Sequence, residues 1–237
     1  MSVICWPMIG GSITSSYRTT HSEGTFLDSN GVLLHHSVFN LDWVDWEPKV
    51  ICDVGAYNMG DSIRFKNRWP KCAVHAFELS PQVYGKHAPY AISQGINTHN
   101  VGVSDYNGRA KYWQSRHVDG VNAQSTLIEP SQAYKNAYSS IVSHSLADEV
   151  DIVRLDDFCK EKGIGEIDIL HVDAENSEWY VINGLGKLRP KMIFAEFLID
   201  GGGEHSKSFQ ETLSLLDGFG YDCVGEFSFD RLFLLRE

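Results

Sequence analysis

The stretch Val50-Ile51-Cys52-Asp53-Val54-Gly55-Ala56-Tyr57-Asn58-Met59-Gly60-Asp61-Ser62 decides how the rest of the chain reads. Val50, Ile51 and Cys52 form a short apolar run suited to a strand buried on both faces. The run ends on Asp53, and Gly55 and Gly60 follow on the way into a helix. Glycine lacks a Cβ and tolerates positive φ, so such a turn lets backbone approach a ligand closely. The helix start adds unpaired N–H groups. A diphosphate ligand would require G-x-G-x-x-G. Here the two glycines stand five positions apart and a carboxylate precedes the first. A leading carboxylate gains nothing from an anion and favours a ligand with a cationic or amino end. S-adenosylmethionine meets that requirement better than a dinucleotide does.

Outward from this turn, strands and helices alternate. Ser62–Trp69 reads as a helix closed by Pro70, Ala73–Glu78 as a second strand, and Pro81–Gln94 as a helix. Asn97–Ser104 reads as a third strand, with a turn over Asp105–Gly108. Val150–Arg154 reads as another strand, before a helix from Leu155 capped by Asp156. Ile167–Asp173 and Met192–Phe197 are further strands, flanking a helix over Trp179–Leu185. A helix over Phe209–Leu216 precedes a closing hairpin of Tyr221–Val224 and Arg231–Leu235. The alternation predicts an α/β fold: an open, mostly parallel sheet with helices on both faces. Sites on such sheets lie beyond the carboxyl ends of the strands. Residues 1–48 lack a clean period and read as a lead-in of short helices and loops, a lid or a dimer contact. Residues 49–237 form the main domain. Within it, 109–149 is an insertion whose one clear signal is a helix near Ser131–Tyr138.

The 237 residues carry 20 basic and 31 acidic side chains, a formal charge of −11, which argues against a duplex nucleic-acid binder. The basic run Arg64–Arg68 reads as the solvated face of a helix. Five cysteines, at 5, 52, 72, 159 and 223, include no C-x-x-C pair and point to a reducing compartment without disulfides. The start, MSVICWPMIGG, lacks a basic lead and a long apolar stretch, so the expectation is a cytoplasmic protein without a membrane span.

Three further marks bear on chemistry. Glu78 ends the strand after Asp53, 25 positions on (78 minus 53), one strand-helix-strand step away. A carboxylate there can accept both hydroxyls of a ribose, as it can also be a plain strand-end charge. Asp173, Glu175 and Glu178 cluster directly after a buried strand, where the glutamates also suit a helix's first turn. Asp173 is the first candidate for a general base and His171 the second. Two residues apart on a strand, they share one face and can form an Asp–His pair, or His171 can be satisfied inside the sheet. Asp173, Glu175, Glu196 and His205 offer metal-ligand chemistry, yet no compact spacing such as H-E-x-x-H joins them, so a divalent metal is open but not favoured. Gly201–Gly203, followed by Glu204 and His205, reads as a loop able to close over a substrate or as a plain connection. Tyr112, Trp113, His117, Tyr134 and Tyr138 can stack on a sugar or form satellite packing.

The segments DVGAYNMG, AFELSP, GVSDYNG, VRLDDFC, IDILHVDAENSEWYVINGL and MIFAEF occur in the order seen in FkbM-type S-adenosylmethionine-dependent methyltransferases, which the chain resembles from about Lys49 to its end. The resemblance implies a seven-stranded, Rossmann-like class I methyltransferase sheet with a reversed C-terminal hairpin. It implies O-methylation of a hydroxyl on a sugar, glycan or other small metabolite. It places Asp53, Gly55 and Ala56 at the methionine end of the cofactor, with Tyr57, Asn58 and Gly60 in the same loop. Glu78 would hold the ribose beside Leu79, Ser104 and Asp105 would lie by the adenine, and Asp173 and Glu175 would face the acceptor. The chain departs from the family in one extra residue between Ala56 and Gly60, in His171 where lysine is usual, and in Asn176 where glycine is usual. A methyltransferase acting on nucleic acid or protein, and a binding protein that keeps the fold without the chemistry, are the alternatives. A homo-oligomer is left open.

Overall fold

The computed structural model describes residues 44–118, 123–197, 207, 209–227 and 229–237, together with three short strands before them. Those strands, β1 (Arg18–Thr19), β2 (Phe26–Leu27) and β3 (Leu33–Leu34), pair antiparallel as a small meander. The described part of the lead-in, expected as short helices and loops, holds these three strands and a loop over residues 44–48.

The main domain runs β4 (Val50–Val54), α1 (Gly60–Arg68), β5 (Ala73–Phe77), α2 (Pro81–Ser93), β6 (Asn97–His99), β7 (Gly102–Ser104), β8 (Gly108–His117), α3 (Gln132–Tyr138) and β9 (Val142–Arg154). It continues with α4 (Leu155–Lys162), β10 (Ile169–Val172), α5 (Glu178–Asn183), β11 (Met192–Glu196), α6 (Phe209–Gly218), β12 (Tyr221–Phe227) and β13 (Asp230–Leu235). Seven strands form one sheet in the order β12-β13-β11-β10-β4-β5-β6. Strands β11, β10, β4, β5 and β6 are parallel, and the β12–β13 hairpin closes the edge antiparallel. Chain order runs outward in both directions from β4 and β10, which makes their carboxyl ends the switch point where ligands bind on such sheets.

Side-chain alternation divides the core between the two faces. Cys52, Val54, Phe77, Leu170 and Val172 pack with Phe158, Val181, Ile182 and Leu216 from α4, α5 and α6. Ile51, Val74, Ala76, Ile169 and Phe194 pack with Phe65, Ala88 and Ala91 from α1 and α2. Each fully buried large side chain contributes about 1.5–3 kcal/mol. On α1, Arg64 and Arg68 are exposed and Phe65 is buried, so the basic run is the solvated face expected.

Three local expectations differ. Asn97–Ser104 is two strands, because the chain leaves the main sheet after His99 and β7 joins a separate sheet of order β7-β9-β8. The insertion is mostly a long antiparallel ribbon, from Gly108↔Ile152 to His117↔Val142 with a bulge at Lys111/Trp113. Its strands bury few side chains, so the alternation that reveals a strand is faint. The expected helix is there as α3, with Ser131 Oγ accepting from the Tyr134 N–H at 3.0 Å. Asp156 is not a helix cap: Arg154 holds that position, and Asp156 accepts from the Asp157 N–H and pairs with the Arg154 guanidinium.

His75 and His99 stack on the α4 face, with Nδ1 and Nε2 3.1 Å apart and Phe158 against both rings. Burial, then its neighbour His75, pushes the His99 pKa down to about 4, and burial lowers that of His75. A histidine held neutral in the fold but charged when unfolded gives stability that is full above its unfolded pKa. That stability is lost as pH falls from about 6.5 toward 4. His99→Leu is expected to shrink the loss between those pH values by on the order of 1–2 kcal/mol, discounted for the water that still reaches the ring. Urea denaturation at both pH values measures it, and equal losses in parent and variant would refute it.

Candidate active site

An open groove lies beyond the carboxyl ends of β4, β5 and β10. Its floor is the turn after β4. The N–H groups of Gly55 and Ala56 both donate to the Phe77 carbonyl at 3.0 Å, and the Asp173 N–H donates to the Val54 carbonyl at 2.9 Å. Gly55 takes φ +84, and a Cβ there would lie 1.7 Å from the Asp173 carbonyl oxygen. The glycine therefore admits the backbone of the next strand's loop, not chiefly a ligand. Tyr57 and Met59 both take positive φ, which accommodates the extra residue of the loop, and Met59 is fully buried. Asn58 is exposed, and its Oδ1 accepts from the Gly60 N–H at 2.8 Å, so that helix-start donor is used locally.

Glu78 lines the groove and is 6% exposed. Its Oε2 accepts from the Tyr57 N–H at 2.9 Å and its Oε1 from the Ser80 N–H at 2.7 Å. Burial pushes its pKa up to about 7. Each carboxylate oxygen has a second lone pair, so the loop bonds fix the group and leave it able to accept from a ligand hydroxyl. Leu79 lies beside it with Val101, Gly102, Val103 and Leu127, which give the groove an apolar end. Ser104 and Asp105, expected there, lie outside the groove lining. The Ser104 carbonyl abuts Gly184, and Asp105 accepts from the Asn183 amide at 2.9 Å. The strand break that brings Val101–Val103 to the groove left only a weak mark in the sequence, the small residue Gly102.

Asp53 is elsewhere than the sequence suggested. It is fully buried on the α1 side of the sheet, across from His171 in register. His171 Nδ1 donates to Asp53 Oδ1 at 2.7 Å, and Ser62 Oγ donates to Oδ2. Burial works against the charged ring, but the bond to Asp53 prevails and leaves the His171 pKa raised. Phe65 and Phe194 enclose the ring. The Asp–His pair therefore exists, but its carboxylate is Asp53 and not Asp173. His171, 4% exposed, is a satisfied histidine beneath the site rather than a base within it.

The loop after β10 is wound about Glu178, whose Oε1 accepts from the N–H groups of Ala174 and Asn176 at 3.2 and 3.1 Å. Glu178 is thus an internal clamp, and burial pushes its pKa up to about 7. Glu175 and Asn176 take φ +50 and +74. Asparagine tolerates that region better than most residues, which accounts for Asn176 at the position where the resemblance leads to an expected glycine. Thr126 Oγ1 donates to the Glu175 carbonyl at 2.6 Å and ties the insertion to this loop. The winding gathers three carboxyls: Asp173, Glu175 and Glu196 each offer an oxygen within 4.8 Å of the others. Burial first and then neighbouring carboxyls hold Asp173 and Glu175 well above the usual carboxylate range. Gly201–Gly203, Glu204 and His205 lie outside the described residues. In the insertion, Tyr112 is core packing at 4% exposure, and Trp113 carries Lys135 over its ring. Tyr134 stacks near Tyr138 and stands close enough to Glu175 for that charge to help burial push its phenol up to about 12.

A family profile described as the methyltransferase FkbM domain matches residues 53–223. The chain belongs to that family. Its FkbM domain thus spans β4 to β12 and includes the whole groove. The 2-O-methyltransferase NoeI of Sinorhizobium fredii (strain NBRC 101917 / NGR234) is 26% identical over 212 residues, covering 87% of this chain and 85% of that protein. Among solved structures, the methyltransferase FkbM of Methylobacillus flagellatus KT aligns with a TM-score of 0.46 at 12% identity, covering 79% of this chain and 43% of that one. The precorrin-6y C5,15-methyltransferase of Geobacter metallireducens GS-15 aligns at 0.44 and 12%, covering 81% of each. This FkbM-domain chain therefore spans less than half the length of the Methylobacillus protein. Among the described residues no helix is long and apolar enough to cross a membrane.

Proposed function

We propose that the chain transfers a methyl group from S-adenosylmethionine to a hydroxyl of a sugar, glycan or similar small metabolite. The observation that carries this reading is the groove at the switch point, with the loop-held carboxylate of Glu78 on one wall and Asp173 on another. Glu78 would accept from the ribose hydroxyls, and the apolar end at Leu79 and Val101–Val103 would take the adenine. The methyl group would then face Asp173. Transfer from a sulfonium is an in-line displacement with a good leaving group, so the protein mainly aligns acceptor, carbon and sulfur. The acceptor hydroxyl must also lose its proton. Asp173, which lines the groove, is the carboxyl placed to receive it. The relative NoeI, a 2-O-methyltransferase, supports an oxygen acceptor. The net charge of −11 disfavours a nucleic acid.

Calorimetric titration with S-adenosylhomocysteine tests the cofactor half. Glu78→Ala is expected to weaken binding by about 1–3 kcal/mol, roughly 10- to 100-fold, because ligand hydroxyls and two loop N–H groups lose their acceptor. Unchanged affinity would remove Glu78 from the site. Turnover of labelled S-adenosylmethionine against a panel of hydroxyl compounds tests the acceptor half, and methylation confined to proteins or nucleic acids would overturn it.

A further inference from the structure

The three carboxyls gathered at the edge of the groove come from two strand ends, and no single sequence motif joins them. Asp173 and Glu175 follow β10, and Glu196 ends β11, the neighbouring strand. Three acidic oxygens within 4.8 Å of one another repel strongly unless protons or a cation lie between them. Among the described residues no lysine, arginine or histidine forms an ion pair with any of the three. The cationic side chains that do pair serve other carboxylates, as Lys191 serves Asp168 and Arg154 serves Asp156.

A second observation is independent of the clustering. Part of Asp173 faces the groove, but its Oδ1 atom is sealed from solvent and has no hydrogen-bond partner. Buried polar atoms are almost always satisfied, and an orphan calls for a missing partner. Its neighbour Glu178 shows the contrast, since one oxygen of that buried carboxyl takes two backbone N–H groups. The backbone meets the needs of Glu178 and leaves Asp173 Oδ1 without a donor, while the side chain bonded to Asp173 is another carboxyl, Glu196, a pairing that needs a proton or a cation between the two.

We propose that Asp173, Glu175 and Glu196 bind a divalent cation of the hard, oxygen-preferring class, Mg²⁺ or Mn²⁺, at the acceptor end of the groove. An all-carboxylate donor set suits that class and not the softer metals that favour thiolate or imidazole. Such an ion, when bound, binds and acidifies a hydroxyl. That role rests on the methyl-transfer reading above, whereas the binding site itself does not. Glu175 would be held toward the ion by its left-handed backbone and by the Thr126 bond to its carbonyl.

The test is calorimetric titration of the metal-stripped full chain with MnCl₂ and with MgCl₂, without substrate. The expected result is one site per chain. Glu175→Gln and Glu196→Gln should each weaken it at least tenfold, and the exposed control Glu149→Gln should leave it unchanged. Thermal melts keep the outcome readable, because both glutamine variants relieve like-charge crowding and should fold at least as stably as the parent without metal. Parent protein that melts cooperatively but takes up neither ion, or undiminished binding in both variants, would overturn the proposal. S-adenosylhomocysteine affinity measured on the same samples separates this failure from failure of the cofactor reading.

Discussion

Gly55→Ala is expected to cost on the order of 4–5 kcal/mol of stability or to prevent folding, a loss reserved for a few mechanisms such as backbone strain and overpacking. Two separate penalties combine. Alanine at φ +84 occupies the left-handed region, at about 1–2 kcal/mol. Its Cβ would also sit 1.7 Å from the Asp173 carbonyl oxygen and 2.6 Å from its carbon. The obstructing atoms are backbone, so no rotamer change relieves the overlap, and β4 and β10 would have to separate. That separation breaks the Asp173 N–H to Val54 carbonyl bond and spreads the floor of the groove. Urea denaturation followed by far-UV circular dichroism measures the loss. A variant within about 1 kcal/mol of the parent would contradict the close approach of the two turns.

Asp53→Ala carries the second large effect. The substitution leaves His171 Nδ1 and Ser62 Oγ without their acceptor inside the core. Removing one partner of a buried pair costs about 3–5 kcal/mol. Asp53→Asn keeps an acceptor oxygen and should cost less. His171→Phe in the Asp53→Ala background should recover part of the loss, because the uncompensated ring is gone, and a double-mutant cycle reads that coupling. The same variants distinguish a support from a ligand contact. In folded Asp53→Asn, S-adenosylhomocysteine affinity is expected to stay within about threefold of the parent, since the carboxylate points away from the groove. A loss of 30-fold or more would return Asp53 to the methionine end, where the sequence had placed it.

The contrast between Asp53 and Glu78 shows what the sequence made legible. Both are strand-end carboxylates next to the turn. The buried parallel strands β4, β5, β10 and β11 were readable because a continuous apolar run leaves few other assignments, and the closing hairpin because its two apolar runs are so close. Which way a strand-end side chain points is a finer matter. Cys52 and Val54 face α4–α6, so Asp53 between them must face α1, where Ser62 and His171 meet it. That alternation was present in the sequence, but the identity of the residue waiting across the sheet was not. Glu78 was legible because it sits past the last pleat, where it closes the loop from Tyr57 to Ser80. The carboxyls of Asp173, Glu175 and Glu196 were legible as candidate ligands, together with His205, but their closeness was not, since they are joined by the pairing of β10 with β11 and by the left-handed turn at Glu175. The β8–β9 ribbon stayed hidden for a third reason: with water on most of its surface, polar residues satisfy both sides of the strand.

The Thr126 hydroxyl is a small hinge-pin with a large reach. It joins a ribbon that lies outside the main sheet to the loop carrying Glu175, while the same insertion sends Leu127 against Gly102, beside Leu79, at the other end of the groove. Both ends of the groove therefore lean on the insertion, and a change in the ribbon's packing would reach them together.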